Sequence, residues 1–408
     1  MAQIAVITGL LTLILGLQAG PADWPQFFGP RRDGVYRGAG LAVRWGPDGP
    51  PLLWRKEVGA GFSGPVVAGG RVVLAHRILN REVVEAFDAL TGESLWQYAY
   101  PTSYRDDFGF DEGPRAVPVI ADGVVYTFGA QGRLSAVDFE TGRPVWSVDT
   151  MAAFGVLKGF FGQGGSPLVE DGRVIANVGG PEAGVVAFDA ASGEVLWRAT
   201  GHEGSYSSGV SVTLGGRRYA VFLTREGLVG LDPATGEIRF ERSWRSRSAS
   251  SVNAATPVIL DNRIFVSAEY GPGAGVLEWN DDTLTEIWTS NDALTNHYAT
   301  SVLHGGYLYG YHGRQEFGPS LRAVEFATGR VAWSVEQFRA GSVLLAGEQL
   351  VILREGGELI LAEATPEAFR PTARAEVLPP TVRAFPALAQ GLLYVKNENT
   401  LICLDLRL

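Results

Sequence analysis

The sequence predicts an all-β protein: an eight-bladed β-propeller of four-stranded antiparallel blades, its ring closed by N- and C-terminal strands lying in one blade. Three observations carry this. A turn motif recurs along the chain, a hairpin motif precedes it, and the two chain ends hold complementary parts of one repeat.

The turn motif is clearest from Ala86 to Trp96. It returns from Ala136 to Trp146, Ala187 to Trp197, Gly230 to Phe240 and Ala323 to Trp333. Each copy has an acidic residue (Asp88, Asp138, Asp189, Asp232, Glu325), a glycine four positions on and a large aromatic four further on. An aspartate in such a turn accepts hydrogen bonds from nearby backbone amides, and glycine supplies the φ > 0 position that a residue with Cβ resists. The apolar alternation on either side suits half-buried strands.

The hairpin motif appears as Pro65 to Leu74, Pro118 to Tyr126 and Pro167 to Ile175. Each reads as strand, two-residue Gly-containing turn, strand. Hairpin plus turn gives four strands in roughly 40–50 residues, the repeat of a propeller blade. The closing aromatics Trp54, Trp96, Trp146, Trp197, Phe240, Trp288, Trp333 and Phe369 count eight blades. Each ring suits the wedge between neighbouring sheets, where its burial stabilises by roughly 2–3 kcal/mol. Blades five and seven depart from the pattern: Asn280-Asp281-Asp282-Thr283 is followed by Leu284 rather than glycine, and Glu363 to Glu367 is shortened.

Leu52 to Val58 reads as the last strand of a blade whose first three lie at Ala387 to Ala389, Leu392 to Lys396 and Leu401 to Asp405. Their pairing would leave no sheet edge exposed at the seam. Residues 52–408 are thus predicted to form the propeller. Residues 23–51, rich in Pro and Gly, read as a lead-in loop rather than a strand. Residues 1–22 read as a signal peptide or N-terminal apolar anchor: the run Ile4 to Leu17 is followed by Ala19, Gly20 and Ala22, although no Lys or Arg precedes it. Export to the periplasm or outside the cell is expected, with membrane contact only through that run if it is uncleaved. The insertion Thr150 to Gly165, apolar and Gly-rich, is expected to cover the ring's mouth or meet a partner.

A net charge of −10 argues against a nucleic-acid surface, which needs a clustered basic face. Cys403 is the single cysteine, so no intrachain disulfide is available, and its apolar neighbours place it in a buried strand. His76, His202, His297, His304 and His312 are scattered without zinc-ligand spacing, and neither a phosphate loop nor a Gly-x-Ser-x-Gly elbow occurs. A monomer is expected.

The Ala-x-Asp-x-x-Thr-Gly-x-x-x-Trp repeats resemble the tryptophan-docking motifs of the pyrroloquinoline-quinone (PQQ) propeller superfamily, and the resemblance runs from about Trp24 to Leu406. That superfamily includes quinoprotein alcohol dehydrogenases, with PQQ and Ca²⁺ on the ring axis. It also includes the cofactor-free outer-membrane β-barrel assembly lipoprotein, which binds protein. A third group, exported PQQ-like proteins, opens with a Trp-Pro-Gln-Phe-x-Gly-Pro-x-Arg-Asp-Gly stretch; Trp24 to Gly34 is similar to that opening.

In this fold, polar residues at the entry to the innermost strands face the axis. They are Ser63; Asp111, Glu112 and Arg115; Gln163 and Ser166; Tyr206 and Ser208; Asn253; and Asn296, His297 and Tyr298. An enzyme of the quinone class would draw a general base from His297 and Ca²⁺ ligands from Asp111, Glu112 and Asn253. Its cofactor contacts would come from Arg115, Glu112, Asn253, Ser208, Asn296 and Tyr298, with Arg115 on a quinone carboxylate or carbonyl. Each has a plainer structural reading: Arg115 on loop carbonyls, His297 in packing, the acidic loop in solvent. The vicinal cysteine pair of many quinoprotein dehydrogenases cannot exist with one Cys. The expectation is an exported binding scaffold for a protein or an envelope or carbohydrate ligand, without cofactor. The alternative is a PQQ- and Ca²⁺-dependent dehydrogenase of alcohols or sugars, and a third is cofactor-free hydrolase or lyase chemistry at the mouth.

Overall fold

A computed structural model describes residues 22–46, 48–248 and 253–408; the apolar run read as an export signal lies outside them. The chain forms eight sheets in sequence order around a ring. Blades one to seven span Val66–Pro101, Val119–Asp149, Leu168–Ala199, Val210–Ser243, Val258–Ser290, Val302–Val335 and Gly341–Glu376. Blade eight joins Ala387–Ala389, Leu392–Lys396 and Thr400–Asp405 to the N-terminal strand Leu52–Glu57. Trp54 stands opposite Cys403 in that last pairing, which is antiparallel, so the termini close the ring.

A shared irregularity sets the position of the aromatics. In every blade the outermost strand bulges against its neighbour, directly after the turn except in blade five, where four pairs intervene, and in blade eight, where no turn joins the two strands. The extra residue twists the strand and brings one side chain to a fixed place at the blade's edge. That side chain is Trp96, Trp146, Trp197, Phe240, Trp288, Trp333 and Trp54 in seven blades. In blade seven it is Ala373, opposite Leu361. Phe369 is therefore not the closing aromatic of that blade. It precedes the strand and packs on Trp333 and Phe338.

Each docked indole donates its N–H to a carbonyl of the next blade's turn: Trp54 to Ala89 (3.0 Å), Trp96 to Phe139 (2.9 Å), Trp146 to Ala190 (2.9 Å) and Trp197 to Pro233 (3.1 Å). Trp288 to Phe326 (2.9 Å) and Trp333 to Thr365 (2.8 Å) repeat the contact. The turn it meets is rigid. Asp88 Oδ1 accepts from the amides of Leu90 and Thr91 and from the Thr91 hydroxyl. Those bonds, the Thr91 amide first, hold its carboxyl below the usual range.

The seam between blades four and five breaks the rule on both sides. Blade four offers Phe240, which has no N–H, and blade five's turn has no glycine. Here Tyr219 stacks edge-on against Trp279 (centroids 5.4 Å apart) and donates its hydroxyl to Asp282 Oδ1 at 2.7 Å. Arg217 also reaches Asp282, and Arg242 reaches Glu286, each across the seam.

The lead-in segment does more than precede the ring. Trp24 exchanges both backbone hydrogen bonds with Val67 of blade one, and the Pro25 carbonyl accepts from Ile120 of blade two. Arg32, buried, donates Nη1 to Gly209 O at 2.7 Å, Nη2 to Pro167 O and Nε to Gln26 at 2.9 Å. Burial pushes its pKa down to about 9. Gly34 packs against Val302 of blade six. Val35–Tyr36 forms a short strand parallel to Leu345–Ala346 of blade seven, and the Ala22 carbonyl accepts from Gln390 of blade eight. Residues 22–36 thus form an internal plug bonded to the inner strands or their entries, with a two-residue strand of its own, while Trp45 further on donates its Nε1 to Arg374 O on the outermost strand of blade seven.

Candidate functional site: an aromatic cavity on the ring axis

Two positions before each innermost strand, blades two to six carry equivalent residues, and these form a belt around the axis. The amide of Val117 donates to Ser166 Oγ (3.0 Å) and that of Ser166 to Ser208 Oγ (3.1 Å). The amide of Ser208 donates to Thr256 Oγ1 (3.3 Å) and that of Thr256 to Thr300 Oγ1 (3.0 Å). In blade eight the equivalent position is Phe385, and in blade one Gly64, whose missing Cβ would stand 2.3 Å from the Phe385 carbonyl. The belt stops there and aromatic rings take over.

A cavity of about 390 Å³ lies at this level. Phe27 of the plug and Phe385 line it, with Phe62, Phe108, Phe110 and Phe161 on the loops around it. Tyr206, Tyr270 and Tyr298 add three more rings, and Arg115, Arg314, Arg383, Glu316 and His297 supply the charged or titratable groups. Phe161 and Gly164 belong to the insertion Thr150–Gly165, which begins as a short helix, Thr150–Phe154, and then reaches the axis. A Cβ on Gly164 would stand 2.4 Å from Tyr206 Cδ1, so glycine is what lets this loop lie on that ring.

The tyrosine hydroxyls are held by the protein. Tyr206 accepts from the Phe161 amide (2.8 Å), Tyr270 meets His297 Nε2 (3.1 Å), and Tyr298 donates to Glu355 Oε1 (2.7 Å). Burial raises the pKa of all three, Tyr206 to about 12. They therefore present ring faces rather than acidic protons.

Of the axis-facing residues named from sequence, Arg115, Ser166, Tyr206, Ser208, His297 and Tyr298 line the cavity. Arg115 is salt-bridged to the buried Asp106 (2.5 Å), donates to the Asp111 carbonyl (3.1 Å) and lies over the rings of Phe62, Tyr104 and Phe161. Ser208 is a member of the belt. His297 Nδ1 faces the Gln315 amide at 3.5 Å, and Nε2 lies 3.1 Å from the Tyr270 hydroxyl. Burial lowers its pKa, so the ring is neutral near pH 7. Both nitrogens thus face groups of the protein.

Asp111, Glu112, Asn253 and Asn296 do not line the cavity. Asp111 accepts from the amides of Gly61 (3.0 Å) and Gly113 (2.6 Å), and Glu112 pairs with Arg105 (2.9 Å). Asn253 donates to the Thr224 and Trp244 carbonyls, and Asn296 donates to Tyr311 O while accepting from Ser301. The three proposed Ca²⁺ ligands thus serve separate backbone and side-chain partners. Among the described residues no group of three His, Cys, Asp or Glu side chains is placed to hold a metal. This donor set does not fit a Ca²⁺–quinone pair.

Phe62, Arg314, Arg383 and Phe385 were not singled out from sequence. Phe385 had a usable signal, since it sits where the belt residues sit; the two arginines lie on loops with no repeating pattern.

A family profile described as outer membrane protein assembly factor BamB matches residues 32–106 and 80–335. A BamB from Burkholderia pseudomallei is 29% identical over 274 residues, covering 64% of each chain. The dehydrogenase subunit of the quinone alcohol dehydrogenase of Komagataeibacter europaeus is 36% identical over 143 residues, 33% of this chain and 19% of that one. The match thus spans about a fifth of that relative's length. Among solved structures, the quinohemoprotein alcohol dehydrogenase of Comamonas testosteroni superposes with a TM-score of 0.68 at 17% identity, covering 94% of this chain and 80% of that one. BamB of Moraxella catarrhalis gives 0.62 at 15% identity, covering 87% and 97%. At such identities these two likenesses show the fold.

Proposed function

This chain belongs to the PQQ-like β-propeller family that includes BamB, and from that premise we propose that it is a binding scaffold of the cell envelope whose ligand, part of a partner protein, enters the axial cavity. The observation that carries this reading is the state of the polar groups around the cavity. The hydroxyls of Tyr206 and Tyr298 and both nitrogens of His297 are engaged within the protein, and the Oγ atoms of Ser166 and Ser208 accept belt amides. What remains toward the axis is a wall of aromatic faces edged by guanidinium groups and by Glu316, itself paired with Arg314, a surface suited to holding a ligand rather than to transferring protons. The envelope location rests on the kinship with BamB and on the expected export signal. Among the described residues no helix is long and apolar enough to cross a membrane.

The test is a photo-crosslinking amino acid placed at Phe108, beside the mouth, in cells expressing the full chain. A discrete adduct is expected, lost when Phe161→Asp is added. Labelling no different from that at Glu286, on the outer strand of blade five, would overturn the reading.

The stretch shared with the quinone alcohol dehydrogenase subunit favours a second reading, a PQQ- and Ca²⁺-dependent dehydrogenase. The engaged donor set described above counts against it, and ligand-linked melting separates the two.

A further inference from the structure

The surroundings of Arg383 define the chemistry of the ligand. Its guanidinium lies 5.4 Å from the ring centre of Phe62 and 5.3 Å from that of Phe110. Its Nε donates to Glu355 Oε1 at 2.6 Å, and that carboxylate also receives the Tyr298 hydroxyl. Two rings and one carboxylate thus fix the plane of the group. Among the described residues no protein atom accepts from its terminal nitrogens Nη1 and Nη2. A planar fork with its orientation fixed and its outer edge free matches a carboxylate bidentately. Across the same cavity, Arg314 lies over Tyr270 and Phe317, and its Nε is buried without a partner.

The apolar surface extends past the cavity. Phe108 and Phe110 stack on one another and pack tilted against Phe161, and both are half exposed (52% and 50%). Phe317, 70% exposed, flanks Arg314. A small molecule filling the cavity would leave this ledge uncovered, and a chain continuing out of it would not. A sugar would find few free hydroxyl partners on these walls, whereas an aromatic side chain finds ring faces on several sides.

We infer that the axial cavity recognises a polypeptide segment of a partner protein in which an aromatic residue is flanked by carboxylates, the ring entering between Phe62, Tyr206 and Phe385 and a carboxylate meeting Arg383. This rests on the scaffold reading and specifies its partner.

The probe is a pair of peptides, acetyl-Glu-Phe-Glu-amide and acetyl-Gln-Phe-Gln-amide, titrated calorimetrically into the full chain. The acidic peptide is expected to bind about tenfold more tightly, the scale of one charge-assisted bidentate contact. Arg383→Met should erase that preference, and Arg383→Lys, which keeps the charge without the fork, should restore only part of it. Phe108→Ala, at the ledge and without a contact to Arg383, should weaken both peptides alike. Equal binding of the two peptides, no binding of either, or a preference that survives Arg383→Met would each overturn the inference. So would co-sedimentation with phosphatidylglycerol vesicles that outcompetes the acidic peptide, since the ledge would then be a lipid contact. Crosslinking at Phe108 reports on the scaffold reading independently of these results.

Discussion

Gly236 lies against the indole of Trp197 so closely that a Cβ on it would stand 2.6 Å from Cδ2 and from Cε3. Gly92 meets Trp54, Gly142 meets Trp96, Gly193 meets Trp146 and Gly329 meets Trp288 in the same way. The conserved geometry of turn and indole thus asks for glycine twice, once for backbone sign and once for space.

The two demands separate experimentally. Gly123 has the same φ as Gly236, +76°, but nothing within 4 Å of its would-be Cβ. Gly123→Ala should cost about 1–2 kcal/mol, the left-handed penalty alone. Gly236→Ala should cost about 2–5 kcal/mol, because overpacking adds about 1–3. Urea unfolding of both variants measures the difference; equal losses would remove the steric half of the argument.

At the seam between blades four and five, Phe240→Trp should not stabilise the protein. The facing turn has no glycine to receive an indole, so overpacking of about 1–3 kcal/mol is expected instead. Tyr219→Phe should cost about 0.5–1.5 kcal/mol through loss of the bond to Asp282. Thermal or urea melts of the two variants check both signs.

Lys396 is buried and donates to the carbonyls of Gly61 (2.6 Å), Asn397 (2.8 Å) and Glu398 (3.4 Å). Burial pulls its pKa down from 10.5 to about 8. Below pH 8 folded and unfolded chains both carry the proton. Between 8 and 10.5 the unfolded chain binds more, so this group's contribution to stability rises with pH. Lys396→Met should flatten that rise in unfolding curves taken at pH values from 7.5 to 10.5.

Saturating PQQ with Ca²⁺ should leave the melting temperature of the purified chain unchanged, as expected where neither binds the folded state. A ligand at a hundred times its Kd would stabilise by about 2.7 kcal/mol, a shift that calorimetry resolves. Such a shift would restore the dehydrogenase reading.

The ring was legible because its determinants are local and repeated. Asp88, Gly92 and Trp96 announce a turn and a strand within nine residues, and the copies count the blades. Closure was legible because Leu52 to Val58 lacked three strands that Ala387 to Asp405 supplied. Phe369 misled because spacing along the chain does not see a bulge, and the pairing register puts Ala373 in its place. The plug was hidden for a different reason. Trp24, Pro25 and Arg32 bond to partners scattered over the ring, and no periodicity encodes contacts of that kind. The cavity was half legible: entry positions such as Ser208 and His297 were found, but Arg383 gains its meaning only from Phe62 and Phe110, more than 270 positions away.

The pairing of Leu52–Glu57 with Thr400–Asp405 has a temporal consequence. A ribosome making this chain releases the first strand of the ring long before the strand it pairs with exists. Blades one to seven can form one by one as they emerge, whereas the eighth must await Ala387–Asp405, and until then the nascent protein exposes raw sheet at both ends of an open arc.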